Sequence, residues 1–477
     1  MSGSGHDFFH YTSGRWLVNE NVRLAERTRE FDDNELRRLA AQSVGRTLQD
    51  VDSMMKLDEG GFNRIFLITM RDGFRMIARI PYPVTVPKYY AVASEVATMR
   101  FLRAQGLPVP QVYDYSPTPD NAAKTEYIFM EFVTGTKLSN VWMELQGAEV
   151  ASVVRQMVQL EARFMSIPFP AGGSLYYAHD LQKAAGKTTG VPIPLDDERF
   201  CIGPDRERRE AYRYEEQSPL DHIKNLELYR RIAPLLVPKK ASLLAFCMRH
   251  PDFQPSNVMV SPSPDSTGSD RWRIVSLLDW QHAAILPRFL LAGSHPPSPP
   301  ENADELQESD YEEVYGRYHA RLVHFHYVKS TMELNELHYD ALSDPVSIFI
   351  RRLFDRAGAP WEGETHDLKA LLVEATEKWA ELAGPDVPCP IEFEPDDVSK
   401  TKAFSERLRL SDENFAGCQA IVGFETETWV PNEHFERAKA LAELLKLTVL
   451  KEIPAGEARD KAEANWFLDD MDEDDYM

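Results

Sequence analysis

Two segments constrain this chain more than any others: RHPDFQPSNVMV at 249–260 and IVSLLDWQ at 274–281. The first sets His250, Asp252 and Asn257 in an H-x-D-x-x-x-x-N string, and the second brings Asp279 to the end of an apolar run. Between them, NVMV (257–260) and RIVSLL (273–278) read as two strands joined by the turn-rich SPSPDSTGSD, which makes a hairpin with a loose tip. Alone, such a string is an ordinary surface loop with capping Asp and Asn residues. The hairpin and the strand-borne Asp279 shift the reading toward the layout used in phosphoryl transfer. In that chemistry one carboxylate, Asp252, sits where an acceptor hydroxyl arrives, while Asn257 and Asp279 offer hard oxygen ligands to Mg²⁺. His250, the other candidate of the catalytic loop, reads as a residue that pins the loop by hydrogen bonds and not as a metal ligand.

A second group lies nearer the start. DEGGFNRIFLITMRDGFRMIARIP, from Asp58, gives a Gly-Gly turn, a strand at 65–70, a tight Arg-Asp-Gly turn and a strand at 74–80 ended by Pro81. Residues without a Cβ let backbone N–H groups approach phosphate oxygens, so Gly60 and Gly61, with Phe62 and Asn63 beside them, are candidates for nucleotide contact. Arg79 on the following strand is placed to meet the phosphates, and Glu95, on a helix at 91–104, to hold it by an ion pair. The strand EYIFMEFV at 126–133 brings Glu131 and Phe132 to a hinge that offers backbone groups to an adenine, and Gly135 lets the chain turn onward.

The rest is mostly helical. A first helix starts near Phe31, with Asp33 or Asn34 as cap, and further helices are expected at 147–166, 310–330, 344–357, 366–383 and 431–447. Residues 180–218 are polar and poorly periodic, and 180–240 reads as an insertion or lid. The organisation is an N-terminal arm at 1–35, a nucleotide-binding lobe at 36–133, a helical lobe at 134–455 that carries the loop 249–281, and an acidic tail at 456–477.

Composition excludes several classes. With 53 Lys plus Arg against 76 Asp plus Glu, the net charge is −23, which argues against nucleic-acid binding, because that affinity comes from clustered cations releasing counterions. Cys201, Cys247, Cys389 and Cys418 form no C-x-x-C pair, so neither a disulfide framework nor a zinc site is indicated. No apolar run reaches the ~20 residues of a membrane span. The first residues show neither the basic and apolar regions of a secretory signal nor an Arg-rich transit pattern.

Taken in order, the Gly-rich hairpin, basic strand residue, helix Glu, hinge, H-x-D-x-x-x-x-N, hairpin and Asp-Trp-Gln resemble the aminoglycoside phosphotransferase and choline kinase branch of the protein-kinase-like fold, over about residues 50–330. FHYTSGRWLVNE (9–20), EGGFNRIFLITM (59–70), ARIPYP (78–83), SEVATMRFLR (94–103) and GSLYY (173–177) further resemble the fungal "altered inheritance of mitochondria" group of that family. The resemblance implies a bilobal α+β fold, with a small antiparallel-sheet lobe and a larger helical one. It also implies ATP and Mg²⁺ as cofactors, Asp252 as catalytic Asp, Asn257 and Asp279 as metal ligands, and an Arg79–Glu95 pair. Mitochondrial association is implied too, with a cytoplasmic location as the alternative. Arg79 stands where many kinases carry Lys, Trp280 and Gln281 replace the Phe-Gly of regulated kinases, and HPPSPPENADE occupies the activation-segment region. A small-molecule acceptor is therefore expected before a protein one. The alternative functional reading is an ATP-binding pseudokinase-like scaffold in mitochondrial maintenance, with a purely helical interaction protein as a third.

Overall fold

The computed structural model describes residues 7–184, 192–203, 219–263, 270–293, 311–358 and 365–471. The smaller lobe is one antiparallel sheet in the spatial order Val51–Glu59, Asn63–Met70, Arg75–Pro81, Tyr127–Glu131, Val112–Ser116. Strand Asn63–Met70 alternates half-buried and buried positions along its length, the period-2 signature of a pleated strand with one enclosed face. Its buried Phe66 and Ile68 pack with Met76, Ala78 and Phe129 against Leu36 and Ala40 of helix Asp33–Ser43. That helix is capped by Asp32, not Asp33 or Asn34: the Asp32 side chain accepts the backbone N–H of Glu35 at 3.0 Å. Two of the five strands carry little sequence signal. Val51–Glu59 buries only Met54 and Glu59, so it shows little alternation, and Val112–Ser116 is a short edge strand just after two prolines.

On the other face lies helix Lys88–Ala104, which starts ahead of the residues its periodicity marks. It is buried without a break from Ala91 to Met99, because it is enclosed between the sheet and strand Ser174–Tyr177 of the larger lobe. An enclosed helix has no polar face to preserve.

Gly135 marks the crossing between lobes. A Cβ there would lie 2.6 Å from the carbonyl oxygen of Val260, so only glycine lets the chain pass this close. Thr136–Lys137 then pairs with Val258–Pro262, which pairs with Trp272–Leu277. This is the hairpin that the sequence predicts, and its tip, 264–269, lies outside the described residues. Helix Gly147–Met165 packs against the hairpin and against helix Tyr311–Leu334. A second helical core gathers Phe289, Leu353, Leu368, Leu372 and Trp379.

Within 180–240, residues 185–191 and 204–218 are outside the described residues. The described parts are tied into the lobe: Phe200–Gly203 is paired with Ser174–Tyr177, and helix Pro219–Leu236 buries Ile232 and Leu236 in the second core. The loop HPPSPPENADE also lies outside. The helix expected at 366–383 is two, Thr365–Glu377 and Trp379–Leu382.

The C-terminal region holds two long helices, Pro395–Val422 and Asn432–Glu452. Between them, strand Trp429–Pro431 pairs antiparallel with Gly14–Trp16 of the arm. Gly14 suits this crossing, since a Cβ would meet the Trp429 ring at 2.4 Å. Of the acidic tail, 472–477 lies outside the described residues; before it, Glu457–Ala464 is helical and Leu468 is buried with Val430 and Phe435.

Candidate active site

Arg79 is the centre of the site. Its strand runs through the middle of the sheet, and Arg79 pairs with Ile65 on one side and Ile128 on the other. The guanidinium bonds to the carboxylate of Glu95, on the enclosed helix, and reaches Asp279 Oδ1 at 3.0 Å and Gln281 Oε1 at 2.7 Å through Nη2. The planar fork of an arginine meets these acceptors on two lobes, which a compact ammonium could not do in one geometry. Burial pushes the Glu95 carboxyl up to about 7, against the pull of Arg79. Desolvation acts to lower the Arg79 pKa, but the two facing carboxylates reverse it and hold the guanidinium charged.

Asp279 follows strand Trp272–Leu277 and sits in the left-handed region at φ 59°, a costly conformation for a residue with a Cβ. Its side chain is 46% exposed. Partial enclosure works to raise its pKa, yet the charge and hydrogen bond of Arg79 outweigh that and hold the carboxyl below the usual range. Trp280 is fully buried, with ring centroids 4.4 Å from His250 and 5.7 Å from an edge-on Phe164. The Asp-Trp-Gln segment is therefore anchored by its middle residue.

His250 joins this segment to the loop that carries Asp252. Its Nε2 lies 2.7 Å from the Leu278 carbonyl, and its Nδ1 takes the Asp252 backbone N–H at 3.2 Å. Those two bonds fix a neutral tautomer with the proton on Nε2, and burial pushes the ring down to about 4. Asp252 itself is exposed. Its Oδ2 accepts from Gln254 Nε2 at 2.6 Å and Asn257 Nδ2 at 2.8 Å. Because Asn257 donates through nitrogen, to that carboxylate and to the Asp252 carbonyl at 2.9 Å, its amide oxygen is the end left for a cation.

The glycine turn leans over this group. Phe62 meets His282 edge-on at 6.4 Å, and the Asn63 amide lies against Gln281 Oε1 at 2.8 Å and against the Arg79 guanidinium. Gly60 and Gly61 have no left-handed φ, and a Cβ on Gly61 would meet nothing within 4 Å among the described residues. Neither backbone strain nor a described neighbour calls for glycine here, and the missing side chains leave room above the loop for a ligand.

Both hinge candidates make contacts of their own within the smaller lobe. Glu131 donates its N–H to the Gln111 carbonyl at 2.8 Å, and its carboxylate takes Arg103 and the Gln111 N–H. The ring of Phe132 lies beneath the Arg75 guanidinium at 4.2 Å. Sequence reasoning misses a buried group behind the loop: Arg249, next to His250, bonds Glu161 at 2.7 Å, and Glu161 takes the Tyr327 hydroxyl at 2.7 Å. A charged residue inside the apolar face of helix Gly147–Met165 is the available signal for Glu161.

Comparison with known proteins bears on this geometry. The family model described as "Phosphotransferase enzyme family" matches residues 53–290, which span the glycine turn, Arg79, Glu95, the loop of His250, Asp252 and Asn257, and Asp279. A subtelomeric hrmA-associated cluster protein of Aspergillus fumigatus is 28% identical, over 88% of this chain and 97% of its own. Altered inheritance of mitochondria protein 9, mitochondrial, of Yarrowia lipolytica is 23% identical, over 90% of this chain and 85% of its own. Among solved structures, a ternary complex of the phosphotransferase APH(2")-IIa with streptomycin and ATP is 13% identical with a TM-score of 0.37, over 76% of this chain and 98% of that one. The macrolide 2'-phosphotransferase MphH of Brachybacterium faecium is 16% identical with a TM-score of 0.34, over 75% of this chain and 99% of that one.

Proposed function

The chain belongs to the phosphotransferase enzyme family, and on that premise we propose that it transfers the γ-phosphoryl group of ATP, with Mg²⁺, to a hydroxyl of a small molecule. The observation that supports this most is the convergence of Arg79, Asp279, Gln281 and Asn63, from both lobes, on one hydrogen-bonded group beside Asp252 and Asn257. The donor set suits Mg²⁺: one carboxylate held ionised, Asp279, and one amide oxygen, Asn257, are the kind of sparse oxygen ligation that this ion completes with phosphates and water. The open space over Gly61 suits phosphate oxygens. Bound there, Mg²⁺ supplies charge neutralisation on the phosphates.

The protein's own part is positional. Asp252, its carboxylate oriented by Gln254 and Asn257, orients an acceptor hydroxyl and receives its proton. Arg79, held by Glu95, offers its charge to the nucleotide phosphates. His250 keeps the catalytic loop in register with the Asp279 segment. Such fixed groups act by orientation and by preorganised charge. The mitochondrial name of the Yarrowia relative supports a mitochondrial place for this chain, which fractionation of cells carrying the tagged protein would test. No helix among the described residues is long and apolar enough to cross a membrane.

The test is a thermal-shift titration with ATP and with MgATP, wild type against Asp279→Ala, since a ligand of the native state raises stability by RT ln(1 + [L]/Kd). We expect a Mg²⁺-dependent shift that the substitution removes. A shift of equal size in Asp279→Ala sinks the metal assignment, and no shift in the wild type sinks the reading as a whole.

A further inference from the structure

Beside the catalytic loop lies a cavity of about 360 Å³ with Asp252 among its lining residues. Its walls come in pairs. Helix Gly147–Met165 contributes Val154 and Met157, one turn apart, and helix Tyr311–Leu334 contributes Val323 and Tyr327. The segment after the lobe crossing adds Trp142 and Met143, and the catalytic loop adds Phe253. Tyr327 gives its hydroxyl to Glu161 at 2.7 Å, which leaves its ring for the cavity wall. The polar lining is Ser139 with the loop residues Asp252, Gln254 and Ser256, and Asp252 is the only carboxylate among the described lining residues.

This distribution discriminates between classes of acceptor. Apolar walls with polar groups gathered at one place fit a largely apolar compound whose orientation is set by a single polar end. Resting on the phosphotransfer reading above, we infer that the acceptor is an uncharged, mostly apolar ring compound carrying a hydroxyl, seated against Trp142, Met143, Met157 and Tyr327 with that hydroxyl at Asp252. In the step that follows, the hydroxyl oxygen forms a bond to the γ-phosphorus and the bond from that phosphorus to the β,γ-bridging oxygen breaks. The electron pair leaves with ADP, and the hydroxyl proton passes to the Asp252 carboxylate and on to solvent.

The probe is 4-benzoylbenzyl alcohol, an aromatic alcohol that attaches to nearby C–H bonds on irradiation. The full wild-type chain is irradiated with it and the attachment site mapped by peptide mass spectrometry. Attachment is expected at Met143 or Met157. An excess of 2-naphthylmethanol should reduce it by about fivefold or more, as occupancy of one shared site requires, while kanamycin at the same concentration leaves it unchanged. Attachment confined to other peptides, or protection by kanamycin equal to that by the naphthyl alcohol, overturns the inference. MgATP stabilisation of the same wild-type sample is read separately. Stabilisation without labelling of the cavity defeats the acceptor assignment alone. Labelling without stabilisation defeats the phosphotransfer reading and leaves an apolar ligand site.

Discussion

Thr12 donates two hydrogen bonds to the carboxylate of Glu59, from its backbone N–H at 2.8 Å and from its hydroxyl at 3.0 Å. Glu59 is the residue before the glycine pair, and its other oxygen takes Lys56 at 2.9 Å and the buried Arg64 at 3.0 Å. The arm that supplies Thr12 is in turn sheet-paired to the C-terminal region through Gly14 and Pro431. The arm and the C-terminal region therefore fix the entry to the glycine turn together. Removing one partner of a buried ion pair costs about 3–5 kcal/mol, because the other charge stays behind uncompensated. Glu59→Ala should lose stability of that order in urea unfolding, and a loss under about 1 kcal/mol would show that the arm does not brace the loop. Desolvation acts to raise the Glu59 pKa, but its donors lower it overall from the ordinary 4.5. This contribution is therefore present above that value and is lost as the pH falls through the lowered one.

Gly135 and Gly61 make opposite predictions. At Gly135 a Cβ would strike the Val260 carbonyl oxygen at 2.6 Å, and φ is +156°, so Gly135→Ala should cost about 1–3 kcal/mol in thermal or urea unfolding. At Gly61 a Cβ meets nothing among the described residues. Gly61→Ala should stay within about 0.5 kcal/mol of wild type in stability, yet weaken MgATP binding by about tenfold if the space belongs to phosphate. Equal nucleotide affinity in Gly61→Ala would remove the loop from the site.

Much of this architecture is legible in the sequence because its signals are local. Alternating apolar residues and a turn-rich tip announce the hairpin around 258–277, and a charged residue inside each of two apolar segments announces the contact of Arg79 with Glu95. Helix Pro395–Val422 escapes a reading by periodicity because it buries only Thr401 and Val422. An almost wholly exposed helix carries no apolar period, and its support is instead the spacing of Arg409 with Glu406 and Glu413. The bonds from Thr12 to Glu59, Arg249 to Glu161 and Tyr327 to Glu161 are out of reach for another reason. They span 47, 88 and 166 positions, and only the tertiary fold brings their ends together. The strand of the hinge candidates follows from the sequence but ends at Glu131, before Phe132, and the bond Glu131 makes depends on the chain leading into the adjoining edge strand, which carries little signal of its own.

Arg79 and Glu95 predict a pH effect with a definite sign. Burial raises the Glu95 carboxyl to about 7, from an ordinary 4.5. Taking away the guanidinium in Arg79→Met removes the group that opposes this rise. From the ordinary value upward, the folded variant keeps a proton that the unfolded chain has released, so stability falls as pH rises. Arg79→Met should be markedly less stable than wild type at pH 8, by about 3–5 kcal/mol, and recover part of that loss at pH 5. Adding Glu95→Gln should flatten the dependence. A deficit that stays constant from pH 5 to 8 would mean that Glu95 does not sense Arg79.

His250 predicts the reverse dependence. Burial holds its ring at about 4, below the ordinary 6.5, although the hydrogen bond to Leu278 pulls the other way. Between those two values the unfolded chain binds a proton that the folded one refuses, so wild-type stability falls as the pH drops from 6.5 toward 4. The full difference corresponds to about 3 kcal/mol. In His250→Gln the titrating group is gone. At pH 7 that variant should be less stable than wild type, since it loses the fixed tether to Leu278 and the ring contact with Trp280. Toward pH 4 the gap should narrow by about that same amount, measured as unfolding free energy in urea at each pH. Curves for the two proteins that run parallel from pH 7 to 4 would show that His250 is not held neutral in the folded chain, and its place as the pin between the Asp252 loop and the Asp279 segment would fall with it.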